Sequence, residues 1–173
     1  MQYLKRFDKV IEMMKEEGMD QFLLSDPMAI YYLTGNWVNP FERFYLLLID
    51  QKGAHRFFLN NLFCIENKTP AEEIWFSDTD DPVALLAGCL EKDAVIGVDK
   101  NWPARFFLPL LQSCPNNRYL DGSHIVDTVR MAKDPQEQLL MKMASQINDR
   151  AIEQIIDFVK ENPKATEKEM ADK

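Results

Sequence analysis

Leu4, Phe7, Val10, Ile11 and Met14 recur at three- and four-residue spacings. This stripe predicts an amphipathic helix over Tyr3 to Glu17 that stops at Gly18. The period then shortens. Phe22-Leu23-Leu24-Ser25 predicts a short strand, and Asp26-Pro27 a helix start, with Asp capping the free amides and Pro taking the first helical position. That helix, Met28 to Leu33, ends at Gly35. Arg43 to Asp50 predicts a strand whose run Leu46-Leu47-Leu48-Ile49 is too continuous for a sheet with one wet face, so it belongs near the centre. Gln51-Lys52-Gly53 is a turn signal and His55 to Leu59 a returning strand, which together predict a β-hairpin; Asn61 to Lys68 reads as helical.

The pattern continues with a strand at Ile74-Trp75-Phe76, a helix from Pro82 to Leu90 capped by Asp81, a strand from Ala94 to Val98, a helix from Pro103 to Gln112 and a strand around Arg118 to Leu120. Strands alternating with helices, with one hairpin inserted, predict an α/β domain: a mixed β-sheet flanked by helices. From Ser123 onward no strand signal remains. Asp134-Pro135-Gln136-Glu137 is a capping box, and Leu140, Met143, Ala144, Ile147, Ala151, Ile155 and Val159 then mark one apolar helical face, ended by Asn162-Pro163. Such a stripe needs a partner, and pairing with a second copy is the expected solution. A second capping box, Thr166-Glu167-Lys168-Glu169, announces a helix cut short at Lys173, a pattern expected of a boundary inside a longer protein. The predicted organisation is a domain over 1–122, a linker over 123–133 and a helical tail over 134–173.

A length of 173 residues suits one domain of roughly 100–200 residues with an appendage. With 46% hydrophobic residues the chain has material for a core. The formal net charge of -8 argues against nucleic acid, because binding phosphates needs clustered Lys and Arg. No apolar run approaches the ~20 residues that span a bilayer, and the amino terminus lacks the pattern of a signal peptide, so the expected location is cytoplasmic. Cys64, Cys89 and Cys114 form no CxxC pair; each has apolar neighbours and is expected to be a reduced, buried core thiol.

Chemistry-bearing patterns are sparse. His55 and His124 are the only histidines, and neither lies in a metal-binding spacing. Asp78, Asp80 and Asp81 lack the pattern of a calcium loop and read as a solvated turn ending in the Asp81 cap. Asp99 stands at the carboxyl end of a strand, where open α/β sheets often place functional groups, yet Asp99-Lys100-Asn101-Trp102-Pro103 also suits a plain strand-to-helix turn, the preferred reading. The most informative segment is Thr34 to Arg43, which presents Trp37, Asn39, Pro40, Phe41, Glu42 and Arg43 ahead of the central strand. Aromatics and Arg on a loop point to binding, whereas cover for the sheet end with local salt bridges is the competing explanation.

Four stretches taken in order are similar to the creatinase/prolidase amino-terminal domain of the pita-bread metallopeptidases. They are Asp26-Pro27 through Ile30 with Tyr32-Leu33-Thr34-Gly35; Glu42-Arg43 before its strand; Ile96-Gly97-Val98-Asp99 with Trp102; and Val126-Asp127 through Arg130, Lys133-Asp134-Pro135 and Glu137. The resemblance implies a parent enzyme of the Xaa-Pro dipeptidase or aminopeptidase type acting on proline-containing peptides. It implies two divalent metals, Mn, Co or Zn, held by two Asp, one His and two Glu downstream of this chain, whose tail would begin the pita-bread domain. No catalytic residue or metal ligand is assigned within 1–173. The resemblance further implies a homodimer in which the loop Trp37, Asn39, Pro40, Phe41, Glu42, Arg43 reaches the neighbouring active site and limits substrate length. Related loops read acidic, Pro, His, Glu, Arg; Asn39 and Phe41 depart from that pattern and favour an apolar wall over an electrostatic gate. A creatinase-like amidinohydrolase and a catalytically inactive peptide-binding module are the alternatives.

Overall fold

The computed structural model describes residues 2–172, which divide into two units meeting between Met131 and Ala132. The first holds α1 (Gln2–Glu16), β1 (Gln21–Leu24), α2 (Pro27–Thr34), β2 (Leu46–Asp50), β3 (Arg56–Asn60), β4 (Glu72–Phe76), α3 (Pro82–Ala87), β5 (Val95–Val98), α4 (Ala104–Ser113), β6 (Arg118–Asp121) and α5 (Ser123–Met131). Its six strands form one sheet in the order β4-β3-β2-β1-β5-β6. β2 is antiparallel to both β1 and β3, while β3–β4, β1–β5 and β5–β6 run parallel. This is the mixed sheet flanked by helices that the alternating pattern predicts.

The continuous apolar run of β2 follows from its interior position. Leu47 and Ile49 face one layer with Phe22, Leu24, Phe57 and Leu59, against Phe7, Val10 and Met14 of α1, Ile30 and Leu33 of α2, and Ile125, Val126 and Val129 of α5. Leu46 and Leu48 face the other, with Leu23, Phe58 and Ile96, against Val83 and Leu86 of α3 and Leu110 of α4. Fully burying each such side chain is worth about 1.5–3 kcal/mol, so the sheet and both helical layers are held by one sandwich.

The polar ends of the strands are tied as carefully. Gln21 is buried; its Nε2 donates to Asp50 Oδ2 at 2.8 Å and its Oε1 accepts from Glu91 N at 2.9 Å. Asp50 N donates to Nδ1 of the buried His55 at 3.1 Å, which closes the predicted hairpin and gives this histidine a structural role. His124 pairs on the surface with Glu17 at 2.5 Å.

Several expectations need correction. Residues 123–131, read as part of a linker, form α5, because Ile125, Val126 and Val129 complete the core of the first unit. Asn61 to Lys68 is irregular rather than helical: Asn60 Oδ1 accepts from Leu62 N, and Asn36 Oδ1 accepts from Glu66 N and Asn67 N, so side chains take the amides a helix would use. The strand after the Glu-Arg pair begins at Leu46 rather than Arg43, whose amide is held in a turn. Cys64 is exposed and Cys89 and Cys114 only partly covered, although all three are free thiols.

The second unit contains α6 (Pro135–Glu161) and α7 (Glu167–Ala171), and both predicted capping boxes are formed. Asp134 accepts from Gln136 N and Glu137 N while Asp134 N donates to Glu137 Oε2 at 2.9 Å. No residue of α6 is buried. No described helix is long and apolar enough to cross a membrane.

Candidate functional site

α2 sets the start of the loop that carries the candidate residues. Asp26 caps its first turn by accepting from Met28 N and Ala29 N, and Gly35 closes it in the left-handed conformation at φ 73°, donating its N–H to Tyr31 O. A Cβ at position 35 would also displace the tip of the Tyr3 side chain, though it is the positive φ that favours glycine there. Asn36, buried, donates from Nδ2 to Asn67 O at 2.8 Å, which pins the beginning of the loop.

The loop then splits its side chains. Val38 is buried, whereas Trp37 is 56% exposed and sets its edge against Tyr31, with ring centroids 5.9 Å apart. A tight turn follows, in which Arg43 N donates to Pro40 O at 2.9 Å and Phe41 N to Asn39 Oδ1 at 3.3 Å. Phe41 sits at φ 50°, a region that costs a residue bearing a Cβ roughly 1–3 kcal/mol. It is also 78% exposed. The turn therefore holds a large ring in water at the expense of local strain, a combination found where a residue serves contact rather than core.

Arg43 is clamped from the far side. Its Nε and Nη2 donate to the two carboxylate oxygens of Asp78 at 3.2 and 3.3 Å, and its Nη1 donates to Glu42 at 3.3 Å. Asp78 accepts in addition from Asn60 Nδ2 at 2.8 Å. The hydrogen bonds from Arg43 and then Asn60 hold the Asp78 carboxyl below its ordinary range, and the hydrogen bond to Asp78 in turn raises Arg43. Asp81, as predicted, caps α3.

Beside this turn lies a cavity of about 330 Å³, outside the carboxyl ends of β1 and β5, where open α/β sheets commonly bind ligands. Asn39, Pro40, Phe41 and Arg43 line it together with Ser25, Asn101, Trp102 and Phe106; Trp37 and Glu42 do not. Its aromatic wall is braced by the buried Phe44, whose ring meets Trp102 and Phe106 edge-on at 6.2 and 5.1 Å. Asp99 fixes the floor: its carboxylate, 9% exposed, accepts from Ser25 N and Oγ at 2.7 Å each and from Asp26 N at 2.6 Å. Asn101 Nδ2 donates to Asp26 at 3.0 Å. Burial pushes the Asp99 carboxyl up, against the opposing pull of these donors.

Asp99 is thus a staple between the ends of two strands, a larger role than the turn read from its sequence. Ser25, Asn101, Trp102 and Phe106 were missed as lining residues because they approach the loop only through the β1–β5 pairing; the one signal available was the polar and aromatic stretch Asp99 to Trp102 at a strand end. Among the described residues, no group of three or more His, Cys, Asp or Glu gathers to hold a metal ion. The site offers an aromatic wall for apolar contact, with Ser25, Asn39, Asn101 and Arg43 at its polar margin.

Comparison with known proteins agrees with this architecture. A family model for the Creatinase/Prolidase N-terminal domain matches residues 6–132. An uncharacterized peptidase of Staphylococcus aureus is 25% identical over 170 residues, covering 96% of this chain and 47% of that protein. The chain thus spans about half the length of this relative. A prolidase from Thermococcus sibiricus superposes with a TM-score of 0.78 at 21% identity, over 91% of this chain and 44% of that one. The Creatinase/Prolidase N-terminal domain of an X-PRO dipeptidase from Streptococcus pyogenes superposes with a TM-score of 0.61 at 20% identity, over 72% of this chain and 98% of that domain. With the match running through all six strands and α5, the chain belongs to the creatinase/prolidase N-terminal domain family.

Proposed function

We propose that this chain is the non-catalytic amino-terminal part of a cytoplasmic, metal-dependent peptidase that cleaves next to proline, an Xaa-Pro dipeptidase or aminopeptidase. The metals, two ions of Mn, Co or Zn, belong to a catalytic half outside this chain, where they would activate water for attack on the amide. The part played here is to shape access. In a homodimer the turn Asn39 to Arg43 stands at the entrance of the neighbouring subunit's active site and limits how long a peptide can enter.

The observation that carries this reading is Phe41, held in solvent at positive φ beside an aromatic cavity while Asp78 clamps Arg43 behind it. Side chains that merely close a sheet end are buried by it, as Phe44 is. The division of labour is testable directly: this chain, given Mn, Co or Zn, releases no proline from an Xaa-Pro dipeptide, while a protein continuing through the catalytic half does. Chelator-sensitive release by the chain alone would contradict the proposal. Hydrolysis of creatine instead of peptides by the longer protein would move it to the amidinohydrolases.

A further inference from the structure

The cavity beside Phe41 is small for a complete ligand. At about 330 Å³ it lies at the bottom of the roughly 300–1,000 Å³ range of small-molecule sites, enough for one side-chain-sized group. Its walls are rings: Phe41 at the rim and Phe44, Trp102 and Phe106 inside, in edge-to-face contacts that leave ring surface available to a further aromatic group.

Most of its polar side chains are already engaged with the protein, and the two lining atoms buried without a hydrogen-bond partner, Trp102 Nε1 and the Tyr45 hydroxyl, carry no charge. Ser25 Oγ donates to Asp99, Asn101 Nδ2 donates to Asp26, and Asn39 Oδ1 accepts from Phe41 N. Arg43, the one cation among the lining residues, faces two carboxylates, Asp78 and Glu42. A guanidinium so paired offers no net positive charge to an incoming anion, and the excess carboxylate repels one.

We infer that this cavity binds a single neutral, apolar side chain of a peptide, an aromatic ring above all, and rejects an acidic one. The inference rests on the proposed role of the turn at a peptide entrance, and it adds which peptides are held there: those bearing an aromatic or bulky aliphatic residue.

The test uses this chain alone, so its outcome is independent of whether the turn gates cleavage in a longer protein. Trp102 supplies the reporter, since its indole Nε1 is buried without a hydrogen-bond partner whereas that of Trp75 donates to Glu73. N-acetyl-phenylalaninamide is titrated against the indole N–H resonances, assigned with Trp37→Phe and Trp75→Phe, and N-acetyl-glutamic acid amide is titrated in parallel. The expected result is a saturable shift at Trp102 with the phenylalanine probe and binding of the glutamate probe weaker on the order of tenfold or more. Phe106→Ala is expected to weaken the phenylalanine probe on a similar scale. Phe41→Ala, which alters only an exposed ring and so leaves the fold intact, is expected to weaken it too. Asp78→Asn, by freeing part of the Arg43 charge, is expected to narrow the gap between the probes several-fold. No saturable shift from the phenylalanine probe, equal binding of both probes, or undiminished binding by Phe41→Ala would overturn the inference.

Discussion

Asp99 shows how one side chain can govern a site it does not line. Its carboxylate gathers two amides and a hydroxyl from Ser25 and Asp26, and so joins the ends of β5 and β1 beneath the cavity. Replacing it by Ala leaves these donors unmatched in a mostly dry place, a loss of about 2–4 kcal/mol expected in denaturant unfolding. The titration of the two key aspartates should diverge. The Asp99 carboxyl is expected to titrate above the ordinary 3.8 because it is buried, and Asp78 below it because Arg43 and Asn60 donate to its charged form. The signs for stability differ accordingly. The folded state holds the Asp99 proton more tightly than the unfolded chain, so that contribution is complete below pH 3.8 and disappears as pH rises through the higher folded value. The Asp78 contribution is complete above pH 3.8 and disappears as pH falls through the lower folded value. Carboxyl NMR across pH 2–7 checks both, and a reversed order would contradict the site's electrostatics.

At the scale of elements, legibility followed how local the cause was. Both faces of β2 are covered, and the sequence declares this in four successive aliphatic residues; Asp26, Asp81, Asp134 and Thr166 cap helices because their partners lie within three residues. The stretch after Asn60 carries no local sign of its irregular path, because its amides are claimed by Asn36, about thirty residues earlier, and nothing local ties α5 to the first unit, because its core partners lie in α1 and α2. The cavity was invisible for the same reason: its halves, near residues 40 and 102, meet only through the sheet. α6 is the element with a debt outstanding. Its 27 residues make a rod of roughly 40 Å, with Leu140, Met143, Ile147, Ile155 and Val159 all exposed. Each side chain left wet forgoes about 1.5–3 kcal/mol, so two copies of this chain are expected to pair along α6. Light scattering over a dilution series should show a dimer that dissociates on dilution and is lost when the chain stops at Met131; a full chain that stays monomeric at high concentration would rule the pairing out.

For the whole molecule, the first unit is a frame whose sheet, stapled at Asp99, presents one strained aromatic turn. Under the proposed function, this turn selects among peptides for a catalytic half outside this chain. The proposal is tested most directly by the ratio of kcat/KM for an Xaa-Pro dipeptide to that for a longer peptide beginning Xaa-Pro, measured in a protein that continues through the proposed catalytic half, with and without Phe41→Ala. The account predicts that removing the ring shifts the ratio toward the longer peptide on the order of tenfold, with unfolding stability unchanged to within about 0.5 kcal/mol because Phe41 is exposed. An unchanged ratio would contradict it and leave the turn as no more than a cover for the sheet end.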